Sequence, residues 1–231
     1  MFYDATYILV IIGAVICMAA SANVNNTYSK YAKVRSSAGL TGRQVAEYIL
    51  DGNNITNVSV QHISGQLTDH YDPSRLVVNL SDAVYNSTSV AAIGVAAHEC
   101  GHVLQHQQRY LPLTLRTAIV PAANIGSRLA WPLILIGLFI NASWSQNLIM
   151  AGILLFSLAV LFQLVTLPVE FDASASAMRI LESSGILNAD ELPYTGKVLR
   201  AAALTYVASA AASLLQLLRL ILIFGGNRRR D

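Results

Sequence analysis

The chain has 231 residues, of which 54% are hydrophobic and 12% are charged, against the ~25% charged share of a soluble domain. A soluble protein this apolar would lack the charge to cover its surface, so an ordinary globular enzyme is excluded and lipid contact is indicated. The formal net charge of +2, without a basic stripe interleaved with aromatics, excludes nucleic acid as a partner, and Cys17 and Cys100 make no disulfide framework.

Residues 7–22 are apolar and uncharged, with Asp4 before them and Lys30, Lys33 and Arg35 after. A cleaved signal peptide would carry its positive charge in front. The segment within residues 1–24 is therefore predicted to be a transmembrane helix with its N-terminus outside. Residues 25–117 form a polar α+β part. A helix is predicted over 40–50, with Thr41 as N-cap and Val45, Ile49 and Leu50 on one face, stopped by Asp51-Gly52-Asn53-Asn54. Val58 and Val60, then Leu76, Val78 and Leu80, alternate with polar residues and predict two short strands. Asp69-His70-Tyr71-Asp72-Pro73 between them reads as a polar turn. A helix over 89–108, N-capped by Ser89, is rich in Ala, Val and Ile.

Pro112 and Pro121 are expected to break the stretch after it. Two apolar runs, 129–140 with a lead-in from Ala118 and 148–167, can each reach the ~20 residues that cross a hydrocarbon core. Joined by an uncharged turn holding Trp144, they predict a transmembrane hairpin over 118–168. Residues 169–231 then hold a new helix, opened by Glu170 after Pro168, and an apolar helix over 201–224 with the basic tail Arg228-Arg229-Arg230. The basic polar part and the neutral turn both orient the polar part toward the cytoplasm, whereas four crossings would put the tail outside. The expected count is therefore three to four transmembrane helices, depending on whether the last one, with Gln216 and Arg219 inside it, crosses.

The chemistry is carried by His98-Glu99-Cys100-Gly101-His102. Positions four apart lie one turn above each other on one helix face, so His98 and His102 can present two imidazoles to one Zn2+ ion. Glu99, one position on, can take a proton from a metal-activated water as general base. The pattern also arises by chance, but two histidines and a glutamate in an Ala/Val helix are costly to bury without a purpose. A third ligand is required. His106 continues the stripe, yet a straight helix cannot wrap three turns around one ion, so His106 reads as a supporting or surface residue. Glu170 is a candidate ligand, and equally Glu170 and Asp172 could simply favour a helix N-terminus. His70, Tyr71 and Tyr206 are candidate donors to the oxyanion. The strand over 75–80, if at a sheet edge, could pair with an extended peptide. Cys100, about 200° round the helix from His98, should face away from the metal.

His98-Glu99-x-x-His102 followed by Glu170-Phe171-x-Ala173 resembles the HtpX-type and CAAX-prenyl-protease membrane zinc endopeptidases. A closer resemblance is to the bacterial YugP-like neutral zinc metallopeptidase family. It rests on Leu40-Thr41-Gly42, on the block from Gly65 to Pro73, on Ala91 to Glu99, on Pro168-Val169-Glu170-Phe171-Asp172-Ala173-Ser174 and on Leu204-Thr205-Tyr206-Val207-Ala208. The resemblance implies Glu170 as third ligand and a small zincin-like, gluzincin-type catalytic part at the membrane surface of a mainly α membrane protein. Together with the charge distribution of the loops, it gives an expected location in a bacterial inner membrane, multi-pass, with the zinc site on the cytoplasmic side. The HtpX-like pattern has an Asp four residues after the ligand Glu, where this chain has Ser174, with Asp172 earlier; this leaves open the group that orients a ligand histidine, with Asp172 a candidate supporting residue.

The expected function is zinc-dependent endopeptidase action, through a zinc-activated water and Glu99, on protein or peptide substrates associated with the membrane. Two alternatives belong to other classes: a non-proteolytic zinc-binding scaffold or sensor, and an intramembrane site-2-type protease. The second lacks the expected Leu-Asp-Gly-like motif in residues 118–168.

Overall fold

A computed structural model describes residues 4–140 and 142–225, so the triple-arginine tail and Asn141 lie outside the described residues. It contains six α-helices, α1 (Tyr7–Tyr31), α2 (Gly42–Gly52), α3 (Val90–Gln107), α4 (Leu111–Phe139), α5 (Ser145–Ser183) and α6 (Leu192–Phe224). Three short strands, β1 (Ser59–Ile63), β2 (His70–Asp72) and β3 (Val77–Ser81), complete it. The chain divides into two compact units. One comprises residues 1–20, 114–167 and 205–231; the other comprises 21–113 and 168–204.

In the polar unit, α2 is closed at its start by a capping box. Gln44 N–H donates to Thr41 Oγ1 at 3.2 Å, and the Gln44 side-chain oxygen accepts from Thr41 N–H at 2.9 Å, which satisfies two of the orphan donors of the first turn. Val45, Ala46, Ile49 and Leu50 form its buried face. The sheet has the order β1-β3-β2, with β1 parallel and β2 antiparallel to β3. Val77, Val78 and Leu80 of β3 join Val90, Ile93, Ala97 and Val103 of α3 among the buried apolar residues, with Ala177, Leu181, Val198 and Leu199 contributed from α5 and α6.

Two expectations are corrected here. The segment 69–73, predicted as a turn, contains strand β2. Asp69 ties the start of this segment to β3 by accepting from Ser81 N–H at 2.7 Å and Ser81 Oγ–H at 2.9 Å, so a polar residue creates the strand's anchor. And β3, which covers the strand predicted over 75–80, is the central strand rather than an edge; its backbone groups are taken by β1 and β2, so it has no row free for a peptide.

The apolar unit consists of four helical segments. The helices α1, α4, α5 and α6 are each long and apolar enough to cross a membrane, and α3 is not among them. Their contacts are those of packing in lipid, where small residues let backbones approach. A Cβ added at Gly126 would lie 2.6 Å from Leu155 O, and one at Gly152 would lie 2.7 Å from Ala130 O. These contacts, with Gly137 against Ile149, set α4 and α5 antiparallel. The pairs Gly13–Ala212 and Cys17–Ala208, with Asp4 just before α1 against Arg219, do the same for α1 and α6. Arg219, which made the crossing of the last helix doubtful, is paired: its guanidinium reaches Asp4 Oδ2 at 3.0 Å and lies over the Tyr7 ring. An intramembrane cation is tolerated when it has such partners. The outward residues, among them Ile11, Val15, Leu135, Leu154 and Leu222, are large, apolar and exposed, as a lipid-facing surface requires.

The prolines did not act as breaks. Pro112 falls in the first turn of α4, where a missing N–H costs nothing, and Pro121, Pro132 and Pro168 lie inside helices. Glu170 therefore opens no new helix; it sits within the continuous 39-residue α5. In lipid, neighbouring helices and local adjustments make internal prolines tolerable, which the breaker rule drawn from water-soluble helices does not anticipate.

Candidate metal centre

The polar unit places the motif on α3. Ser89 caps that helix, accepting from Ala92 N–H at 3.2 Å, and an uninterrupted Ala/Val/Ile run keeps the helical phase to His102. The two imidazoles therefore stand one turn apart, with ring centroids 4.8 Å apart and planes at 84°. The third group comes from α5. Glu170 Oε2 lies 3.3 Å from His98 Nε2 and 3.6 Å from His102 Nε2, and Glu170 is 3% exposed. One ligand atom from each of the three residues lies within 4.8 Å of the others.

A tetrahedral ion with ~2.05 Å bonds sets its ligand atoms about 3.3 Å apart. The two N···O separations fit that within a few tenths of an ångström. The donor set, two imidazoles and a carboxylate, is one that suits zinc.

Close packing of α3 on α5 makes the meeting possible. A Cβ on Gly101 would lie 2.6 Å from Ala173 O and 3.1 Å from Ala173 Cα, so only glycine lets the two backbones come this near. Gly101→Ala is expected to force the helices apart. It should cost about 1–3 kcal/mol of stability and lower zinc content, read by thermal unfolding and metal analysis of the detergent-purified variant; wild-type values for both would refute the packing argument.

Each of the two candidate ligand histidines is held from behind through Nδ1. For His98 the partner is Ser174 Oγ at 3.1 Å, the residue that stands where the related HtpX-like pattern has Asp. For His102 it is Gln105 Oε1 at 3.0 Å. The Gln105 amide in turn donates to Val169 O and to Asp172 Oδ2, both at 2.8 Å. Asp172, predicted as a supporting residue, thus reaches His102 through Gln105. Sequence reasoning missed Gln105; the available signal was a polar side chain three residues after His102 in a helix that is otherwise apolar inward.

Glu99 is 6% exposed. Burial raises its pKa, against the opposing pull of the positive charge His98 and His102 can carry. Cys100 is fully buried on the far side, its thiol toward Ala46 O at 3.7 Å, and burial pushes its pKa up.

The remaining candidates are placed as follows. His70, on β2, has both ring nitrogens engaged, Nδ1 with Thr68 O at 2.9 Å and Nε2 with Asn79 Nδ2 at 3.1 Å. Tyr71 pairs its hydroxyl with His106 Nδ1 at 2.9 Å. His106 is outside the group of three. Tyr206 belongs to the apolar unit.

Two histidines one turn apart, a carboxylate from a second helix and a buried acid beside them have the form of a three-ligand metallopeptidase centre, here in a chain with four membrane-length helices. Comparison with known families agrees: residues 6–225 match the model described as "Putative neutral zinc metallopeptidase", and the chain belongs to that family. It is similar to the protein described as "Putative membrane protease YugP" of Bacillus subtilis (strain 168), at 50% identity over 209 residues that cover 90% of this chain and 92% of that one. No solved structure matches the chain.

Proposed function

We propose that this protein is a membrane-bound zinc endopeptidase in which His98, His102 and Glu170 hold one zinc ion and Glu99 is the general base. The observation that carries the reading is the convergence of one ligand atom each from His98, His102 and Glu170 within 4.8 Å of one another, with the carboxylate oxygen 3.3 and 3.6 Å from the two imidazole nitrogens. When bound, zinc supplies Lewis acidity, bringing a water's pKa toward ~7 and polarising the scissile carbonyl. His98 and His102 offer their Nε2 lone pairs because Ser174 and Gln105 engage Nδ1. Glu99 takes the proton of the attacking water on its carboxylate and returns it to the leaving amine. The hydroxyl of Tyr71, which pairs with His106 one turn beyond His102, is the donor we assign to the oxyanion.

The location we propose is a bacterial inner membrane with the centre on the cytoplasmic side. Supporting it, Lys30, Lys33, Arg35, Arg109, Lys197 and Arg200 lie in the polar stretches next to the apolar spans, whereas the turn at 142–147 is uncharged. Substrates would be membrane proteins or unfolded segments beside them.

The test is to purify the full chain in detergent, measure its zinc, and assay casein and a peptide library. About one zinc per chain is expected, with cleavage abolished by chelation and restored by zinc. Cleavage insensitive to the chelator, or a zinc-free active protein, would overturn the proposal. Stoichiometric zinc with no cleavage of any peptide would favour a scaffold or sensor.

A further inference from the structure

We infer that Gln105 is a positioning residue that fixes two of the candidate zinc ligands at once: His102 directly, and Glu170 through the α5 residues on either side of it. The inference deepens the zinc-centre reading and rests on it.

Gln105 is 2% exposed, and a buried amide is costly unless its hydrogen bonds are made. All of the bonds described for it go to the site. Its Nε2 donates to Val169 O and to Asp172 Oδ2, at 2.8 Å each. A backbone carbonyl and a carboxylate oxygen can only accept, so the network itself decides which end of the amide is which. Oε1 therefore faces His102 Nδ1, at 3.0 Å, and being an acceptor it requires that nitrogen to carry the proton. The lone pair is left on Nε2, the atom 3.6 Å from Glu170 Oε2.

The contrast with His98 is chemical. Ser174 Oγ, at 3.1 Å from His98 Nδ1, can donate or accept and so dictates no tautomer. The amide of Gln105 does.

The second half of the inference comes from position on α5. Val169 and Asp172 lie one residue before and two residues after Glu170. Anchoring both to α3 stops α5 from rotating about its axis at the residue that presents the carboxylate. One amide thus sets the donor atom of a ligand on α3 and the orientation of a ligand on α5, whose own packing is locked nearby by Gly101 on Ala173.

The experiment uses the full chain in detergent, stripped of metal, with zinc affinity read by competition with a chromophoric chelator. Gln105→Leu keeps nearly the same volume and removes every bond. It is expected to bind zinc about 10–100-fold more weakly, as removal of groups that orient ligand histidines does. Histidine 15N spectra of the zinc-loaded protein give a readout that mere loss of packing would not produce: His102 should bind through Nε2 with its proton on Nδ1 in the wild type, and through a mixture of the two nitrogens in the variant. An affinity within twofold of wild type, or an unchanged tautomer, overturns the inference. If Gln105→Leu does not fold, Asp172→Ala removes a single anchor and should weaken zinc binding about tenfold; binding within twofold overturns the inference equally. A wild type that binds no zinc would overturn the zinc-centre reading as well, whereas a wild type that binds zinc alongside an equally tight Gln105→Leu overturns this inference alone.

Discussion

Glu99→Gln is expected to lose about 10²–10⁴ of the peptidase activity while keeping its zinc. Glutamine has nearly the volume and shape of glutamate, so the 6% exposed side chain can be replaced without a cavity. What disappears is the ability to accept a proton. Zinc should stay because Glu99 lies outside the group of three that offers ligand atoms around one point. Stability should not fall, since a buried carboxylate whose ionisation is opposed by burial gives way to a neutral amide. Parallel zinc analysis and kcat/KM measurement on the two proteins check this. Activity within a few-fold of wild type would remove Glu99 from the mechanism, and loss of zinc would make it a ligand instead.

Glu170→Ala should have the largest effect on the metal itself. The carboxylate is the only one of the three candidate donors from α5, and without it the two imidazoles on α3 would hold zinc alone. The loss should exceed the ~10–100-fold typical of groups that act behind a ligand, so the apparent zinc affinity should fall by more than about 100-fold. Competition with a chelator measures it directly. Glu182→Ala, an exposed carboxylate near the end of the same helix, serves as the control and should bind zinc as wild type does. If Glu170→Ala binds zinc like the control, the third ligand lies elsewhere and the 3.3 and 3.6 Å contacts are ion pairs only.

The two variants separate ligand from base: one should lose metal and activity together, the other activity alone.

Features set by local physics were legible in the sequence. The Thr41 cap, the Ser89 cap, and the phase that stacks His98 over His102 depend on residues a few positions apart, so spacing alone predicts them. The four apolar helices follow from hydropathy and length, properties of each segment by itself. The breaker rule learned from water-soluble helices failed: Pro121 and Pro168 were expected to interrupt or end helices and instead lie within them. Arg219, which made the crossing of the last helix doubtful, is met by Asp4, just before α1, and by the Tyr7 ring.

What only the tertiary structure decided is everything that joins distant parts of the chain. Sequence pattern could offer Glu170 as a ligand or as a helix-start acid, and the resemblance favoured the first. The backbone contact of Gly101 with Ala173 brings its carboxylate to the two imidazoles. The β-strand at 70–72 exists because Asp69 is bound by Ser81, twelve residues on. Gln105 and Ser174 acquire their roles behind the histidines only when α3 and α5 meet, because a hydrogen bond across sixty or more residues leaves no periodicity to read. The sequence by itself determined that two histidines and a glutamate share one helix in a chain built for a membrane; the packing of that helix on a second one decided that a third donor and its supporting bonds complete a metal-binding geometry.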